Sequence, residues 1–548
     1  MRRSSAIGGG HRRGLIDTRT RTPCQSRLLG LKSHAAKELI RQELWTLRTA
    51  MSQIAHCRRV GYRYPANHRS CLALPHGIKR NIEINVPLHI YDTMQRQKVL
   101  FVPRSEGEVA MYVCGPTVYD VPHLGHGRTA LTYDMIRRYL TWTGVRVLVA
   151  SNVTDIDDKI IVRAEQEGRT EPDVAAEFTA KYDEQMERLG ILPPDSRPHA
   201  TQFIDKMIDI ITELIDLGAA YVVEDKGVYF SVGDLTEYGR LAGRTLDQLL
   251  DDAGQRVDID TDKRSPLDFA LWKSAKPGEP SWSTPWGVGR PGWHTECVAM
   301  SLSALGPGFD IHGGGDDLCF PHHQNEWAQV TAMGQQFARL WVHSAMVNVA
   351  GEKMSKSLGN FTNLTEAIDT AGPRALRLLA LQTHYRRAME MGRDALMAAA
   401  SAVDRLDAFY RRMATANVDL KSGDLDEPSI TAFRSAMDDD FSTPTAVDNA
   451  FSLIRSANID LDNSDLSAAG LKGRTAVTTF AVLGIDIGPH EEETTAGPSD
   501  QEIEEMLEQR DRARADKDFA TADNIRDHLA SANVVIEDTA NGVVWHRG

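Results

Sequence analysis

The chain has 548 residues, of which 42% are hydrophobic and 25% charged, with a formal net charge of −14. At about 100–200 residues per domain, that length predicts three or four domains. No apolar run approaches the roughly 18–20 residues needed to cross a bilayer, and six cysteines in so long a chain do not build a disulfide-stapled secreted module, so the composition excludes membrane-spanning, fibrous and wholly disordered proteins and leads us to expect a soluble, cytoplasmic one.

The charge is unevenly spread. Residues 1–84 hold 17 Lys/Arg against 4 Asp/Glu, and the remainder holds 45 against 72. An Arg-rich, acid-poor start suits a transit peptide or a basic nucleic-acid arm. Neither a sustained amphipathic pattern nor a motif supports those readings. Residues 1–85 are therefore read as a basic extension, disordered or translated from upstream of a natural start near Val86.

From there the elements run in order. Met111–Val113 reads as a buried strand entering a loop at Cys114-Gly115-Pro116. After His123-Leu124-Gly125-His126, the residues Leu131, Met135, Tyr139 and Trp142 recur at helical spacing, with Gly144 as the stop. Val145–Ala150 is a second strand, so the unit is βαβ and the fold α/β, with a Rossmann-like parallel sheet over residues 86–360. Ligands in such sheets bind at the carboxyl ends of the strands. An insertion at about 195–291 carries a helical pattern (Phe203, Met207, Ile210, Ile211, Leu214) and strand-like pieces near Gly227–Val232. Phe309–Ile311 and Trp341–His343 resume the sheet, and a polar loop follows at Gly351–Asn360. Residues 361–490 read as a helical domain, with a stripe of Leu396, Ala399, Val403, Leu406 and Tyr410. Pro489–Asp500 reads as a linker, and residues 501–548 as a helix (Gln501–Lys517) plus a small hairpin turning at Asn541-Gly542.

Three groups of residues carry chemistry. The first is His123-Leu124-Gly125-His126 between a strand and a helix, where free backbone N–H groups and the positive dipole end suit phosphate; Gly125 would let a flat base approach the backbone. The second is Lys353-Met354-Ser355-Lys356-Ser357, whose two ammonium groups suit the charge on a leaving pyrophosphate. Either alone is weak, since most such sequences are ordinary solvated surface. The third is a possible metal shell: Cys114 and Cys297 with Phe320-Pro321-His322-His323-Gln324-Asn325-Glu326. With Pro321 starting a helix, His322 and Glu326 fall at i and i+4, and His323 and Glu326 at i and i+3. Two thiolates, an imidazole and a carboxylate would suit zinc, but spacing does not choose between the two histidines.

The two loops together resemble the paired signature of class I aminoacyl-tRNA synthetases, with Leu124 where isoleucine is commoner. Met111–Asp120, Asn152–Lys159, Gly292–Cys297 and Phe309–Asp317 narrow the resemblance to the cysteinyl-tRNA synthetase family, from about Val86 to the C-terminus. The resemblance implies one Zn2+ per chain on Cys114, Cys297, His322 and Glu326, joined by the substrate thiol. It implies ATP with Mg2+, L-cysteine and tRNA(Cys) as substrates, an anticodon-binding helical domain, and a monomer. His123, His126, Lys353 and Lys356 would be catalytic. ATP would lie against His123, Gly125, His126, His312, Gly313, Gly314 and Lys356, and the amino acid against Gly115, Thr154, Trp293 and Asp317. Arg510, Arg512, Arg514 and Lys517 on the late helix, with Trp545 and Arg547 on the hairpin, are candidate RNA contacts. The related cysteine ligase of mycothiol biosynthesis, which joins cysteine to an amino sugar–inositol, would share the loops and the metal shell but needs no anticodon-binding region.

Overall fold

A computed structural model describes residues 87–254, 262–349, 363–488, 498, 500–532, 534–539 and 542–547. The basic extension, the Lys353–Ser357 motif and nearly all of the expected 489–500 linker lie outside the described residues.

The chain enters through a hairpin, β1 (His89–Asp92) and β2 (Gln97–Leu100). Strand β3 (Glu108–Val113) leads to helix α1 (Leu124–Trp142) and strand β4 (Arg146–Ser151), so the βαβ unit is present, three residues longer at its first strand than the apolar run alone predicts. Gly144 does follow α1, at φ +95°. Helices α2 (Asp158–Glu167) and α3 (Glu171–Arg188) come next, and then α4 (Ile204–Asp216), whose buried Met207, Ile210, Ile211 and Leu214 are the predicted stripe. The strand-like pieces of the insertion prove to be one five-stranded antiparallel sheet: β5 (Ala220–Val223), β6 (Gly227–Phe230), β7 (Phe269–Ser274), β8 (Trp282–Thr284) and β9 (Gly287–Pro291), in the order β5-β6-β7-β9-β8. Helix α5 (Leu246–Gly254) lies between β6 and β7 in the chain.

After α6 (Trp293–Leu305), strand β10 (Phe309–Gly315), helix α7 (Gln324–Ala332) and strand β11 (Ala338–Ser344) complete the main sheet. All of its pairings are parallel, in the order β11-β10-β3-β4. The chain leaves β3 toward β4 and later returns to its other side with β10. That reversal opens a crevice at the carboxyl ends of β3 and β10. Side chains alternate along β3, so Val109, Met111 and Val113 face the core shared with α1, and Ala110, Tyr112 and Cys114 face the core shared with α6 and the insertion.

Strand β12 (Val347–Val349) pairs in parallel with β13 (Met389–Met391); between them lie α8 (Leu364–Ala371) and α9 (Pro373–Gln382). A helical region follows: α10 (Arg393–Thr415), α11 (Glu427–Asp438), α12 (Thr443–Asp462) and α13 (Leu466–Val482). On α10, Leu396, Ala399, Val403 and Leu406 are buried as predicted, and Tyr410 is half-buried.

The C-terminal piece departs from expectation. Helix α14 (Asp500–Ala515) is followed by α15 (Phe519–Ser531), which the sequence pattern did not reveal because only Ala522 and Leu529 on it are buried. Lys517 at φ +64° breaks the two apart, and Asp518 caps the second by accepting from Thr521 N. The hairpin of β14 (Val534–Thr539) and β15 (Gly542–Arg547) turns where Asn-Gly predicts. Arg510 is buried on the face that carries Ile503 and Leu507, and Lys517 lies beyond the helix end, so these two candidate RNA contacts do not share one exposed helix face with Arg514. Trp545 packs half-buried against that same small core.

Candidate functional site

Both cysteines of the third group meet at the crevice. Cys114 lies just past β3, and its N–H donates to Gly313 O of β10 across 2.9 Å. Gly115 donates to Asn152 Oδ1 at 2.8 Å, and a Cβ there would stand 1.7 Å from the Asn152 carbonyl oxygen, so only glycine lets the loops after β3 and β4 come this close. Cys297 arrives from α6, and His322 and Glu326 from the turn and helix after β10. The α-helix proper runs from Gln324, but helical backbone angles already begin at Pro321, after extended Phe320 (φ −142°, ψ 130°), so His322 and Glu326 do sit at i and i+4 on one face.

One donor atom from each of Cys114, Cys297, His322 and Glu326 lies within 4.8 Å of the others. The two sulfurs are 3.7 Å apart, Cys114 Sγ is 3.6 Å from a Glu326 oxygen, and His322 Nε2 is 2.9 Å from Glu326. Two sulfurs each about 2.3 Å from a tetrahedral zinc stand roughly 3.8 Å apart, so the thiol pair fits that ion. A second set, Cys114, His312, His323 and Glu326, is equally compact. In it His312 Nε2 is 2.8 Å from the other Glu326 oxygen, and His323 turns Nε2 to Cys114 Sγ at 3.3 Å while its Nδ1 lies 2.8 Å from His343 Nε2. The first set differs in keeping both sulfurs, the donors zinc holds in its structural sites. The hydrogen bond from the Cys114 thiol brings Cys297 down to about 6 against the effect of burial, and burial pushes Cys114 well up. Burial alone would raise Glu326, yet His312 and His322 hold it at about 2. Burial would lower His322, but Glu326 and Cys297 raise it to about 10, so the four side chains together keep a single net negative charge before any cation joins them.

On the other side of β3, His123 caps α1. Its Nδ1 accepts from His126 N at 3.4 Å, and His126 Nδ1 accepts from His123 N at 3.2 Å; the rings stack 3.7 Å apart. A ring that accepts at Nδ1 carries its proton at Nε2, which leaves two N–H donors beside a helix N-terminus. Burial lowers His123 and, with His123 and Lys159, holds His126 at about 3, so both rings are neutral donors at physiological pH. A Cβ on Gly125 would stand 2.9 Å from the His123 ring, a steric reason for glycine beside the one expected from nucleotide approach.

The remaining expected residues are placed as follows. Trp293 opens α6 and stacks on His322 at 4.0 Å. Thr154 is buried, and its hydroxyl accepts from Asn152 Nδ2. Gly313 and Gly314 end β10 with no room for a Cβ, which would meet Tyr133 at 2.4 Å and His323 at 2.8 Å respectively. Asp317 is exposed on the rim and acts electrostatically on His123. His312, expected near the adenosine, is fully buried between Trp341, stacked at 4.5 Å, and Glu326, because its alternation on β10 turns it toward the cysteine side. Sequence reasoning did not assign His294 and His343, which contact His322 and His323; His294 stands three residues before Cys297, a spacing that could have flagged it, whereas His343 carries no such signal.

Residues 100–401, more than half of the chain, match the family described as tRNA synthetases class I (C) catalytic domain. The chain belongs to the class I cysteinyl-tRNA ligase family. Residues 432–487 match the DALR domain and 499–545 the cysteinyl-tRNA ligase anticodon binding domain. A cysteine–tRNA ligase of Trichlorobacter lovleyi is 46% identical over 84% of this chain and 99% of its own length. One from Alkalilimnicola ehrlichii is 44% identical over 84% of this chain and all of its own. Methionyl-tRNA synthetase of Mycobacterium tuberculosis, solved with methionyl-adenylate, shares the fold at TM-score 0.51 and 14% identity, covering 69% of this chain and 89% of that one. The protein is therefore a ligase that charges tRNA with cysteine, using ATP. Among the described residues, no helix is long and apolar enough to cross a membrane.

Proposed function

We propose that the enzyme activates cysteine with ATP to cysteinyl-adenylate, passes the cysteinyl group to the 3′ end of tRNA(Cys), and selects its substrate through one zinc ion held by Cys114, Cys297, His322 and Glu326. The observation that carries this reading is the 3.7 Å thiol pair, buried together with one imidazole and one carboxylate at the sheet's switch point. Serine differs from cysteine by one atom, and packing separates such near-isosteres only modestly. When bound, zinc supplies a soft partner that favours a deprotonated sulfur over a hydroxyl.

The chain's own residues do the rest. His123 and His126 donate from Nε2 to the triphosphate, with Gly125 keeping the turn tight and Gly313–Gly314 giving the nucleotide close access. Lys353 and Lys356 neutralise charge on the departing pyrophosphate. The cysteine carboxylate attacks the α-phosphate, pyrophosphate leaves, and the terminal ribose hydroxyl of tRNA then displaces AMP; positioning and charge stabilisation suffice for both steps. Trp293 walls the amino-acid pocket by fixing the His322 ring, while Gly115, Thr154 and Asp317 supply polar contacts at its edge. Mg2+ accompanies ATP. We place catalysis within 86–360, a helical stem and anticodon-binding region within 361–490, and a further RNA-contacting piece within 501–548, in a cytoplasmic monomer. Metal analysis of the purified enzyme tests the site: one zinc per chain is expected, with near-complete loss in Cys114→Ser and Cys297→Ser. Zinc retained at full stoichiometry in both variants would refute the ligand set.

A further inference from the structure

A chain of buried polar contacts runs from the start of α1 to the helical region. Arg128 stands two residues past His126 on α1 and is 4% exposed. Its Nη1 donates to Ala380 O, and its Nη2 donates to Thr383 O at 2.9 Å and to His384 O at 3.1 Å. These carbonyls close the carboxyl end of α9, where the negative end of the helix dipole suits a cation.

The segment that leaves α9 is gripped from its other side by Asp440, in the turn between α11 and α12. Tyr385 Oη donates to Asp440 Oδ1 at 2.6 Å, Arg386 Nε donates to Oδ2 at 2.7 Å, and His384 Nε2 donates to the Asp440 carbonyl at 3.0 Å. Tyr91 N of β1 also donates to Oδ1, at 2.9 Å, and Asp440 N donates to His89 O at 2.9 Å. The carboxylate is wholly buried and fully engaged. Asp440 takes φ +63° and Phe441 φ +51°. Two successive non-glycine residues in the left-handed region are uncommon, and such strain persists only where the surroundings over-determine it. Tyr385 is held at its other end as well, its carbonyl accepting from Ala345 N just past β11 at 2.8 Å.

We infer that Asp440 is a positioning residue for the activation step. It fixes residues 384–386, these carbonyls and their neighbours fix Arg128, and Arg128 fixes the start of α1, on which His123 and His126 present their donors. This rests on the phosphate role proposed above for that histidine pair. Positioned donors are sensitive to small shifts: a misplacement of about 1 Å caused far from the chemistry can cost about 100-fold in rate.

Asp440→Asn keeps the shape of the side chain and a residue type that tolerates left-handed backbone, while removing the charge. Arg128→Gln removes the guanidinium fork. The two changes are compared singly and together in pyrophosphate exchange, per active site titrated by the adenylate burst, with zinc content and KM for cysteine read alongside. Each single change should lower kcat/KM for ATP by at least about 10-fold, with zinc content and KM for cysteine as in the wild type. The double variant should be scarcely worse than the poorer single one, because members of one network do not act independently. Should Asp440→Asn not fold, Tyr385→Phe, which deletes one donor and keeps the ring, takes its place in the same cycle with the same expected pattern. Single effects that multiply in the double variant, losses that fall equally on cysteine and ATP, or a wild-type kcat/KM for ATP in the variants would overturn the role of Asp440 while the histidines keep theirs. A wild-type kcat/KM for ATP in His126→Ala would overturn both.

Discussion

Asp134 lies two turns along α1 from His126, and its side chain is wholly buried. It accepts from Arg377 of α9 at 2.5 Å, from Arg138 at 2.7 Å, and from Leu192 N at 2.9 Å. Arg377 is itself only 3% exposed and donates onward to Leu189 O. This pair therefore belongs with desolvated ion pairs, in which removal of one partner strands a buried charge at a cost of about 3–5 kcal/mol, and not with surface pairs worth about 0–1 kcal/mol. Asp134→Ala should lose that amount in urea unfolding at pH 7. Asp134→Leu combined with Arg377→Met should lose less than the single change, because it removes the stranded guanidinium as well. The pH dependence has a definite sign. Burial raises the Asp134 carboxyl, but Arg377 and Arg138 outweigh it, and the net direction is downward. At Arg377 burial outweighs the pull of Asp134, and its pKa falls, yet a guanidinium remains charged at neutral pH. A depressed folded-state carboxyl contributes fully above its unfolded value near ~3.9 and loses that contribution as pH falls through the lower folded value. The gap between wild type and Asp134→Ala should stay constant from neutral pH down to about 5 and shrink below about 4. A gap under about 1 kcal/mol at pH 7, or a double variant worse than the single one, would refute the buried-pair reasoning.

Other outcomes follow from the site. Cys297→Ser should lose cysteine binding, measured by calorimetry, with an unchanged circular dichroism spectrum; unaltered cysteine affinity with zinc still bound would sink the ligand assignment. His126→Ala should slow pyrophosphate exchange by about 10²–10³-fold, as loss of a preorganised donor does, and His126→Asn should recover part of it; equal loss in both would remove the donor role. Because His126 is held at about 3, wild type and His126→Asn should share one pH profile across the range of about 5–8 where free imidazole titrates. Gly115→Ala drives a Cβ into Asn152 O and should cost at least about 1–3 kcal/mol in unfolding experiments, the usual range for overpacking; an unchanged midpoint would show that the two loops can separate freely.

The main sheet was legible because β3, β4 and α1 carry strong apolar periodicity and are punctuated by Gly144. The insertion was only half legible. Its strands β8 and β9 are three and five residues long; β9 is defined by pairing with β7, and β8 by pairing with β9, and the β7 pairing is a fact that no short window of sequence contains. Helix α15 escaped notice because it buries two side chains where a periodic pattern needs a stripe. At the site, residue types pointed to Cys114, Cys297, Glu326 and a histidine; spacing left His322 and His323 open, and the fold puts one in each of two four-residue clusters that share Cys114 and Glu326. His312 shows the limit most clearly: a histidine beside three glycines reads as nucleotide chemistry, and only the register of β10 against β3 turns it toward Glu326.

The proposal that a metal-held thiolate selects the substrate is tested most directly by the ratio of cysteine to serine in pyrophosphate exchange, measured before and after zinc is stripped and then restored. The ratio should collapse on stripping, chiefly through loss of cysteine activity, and return with zinc. Unchanged preference for cysteine in fully stripped enzyme would contradict it.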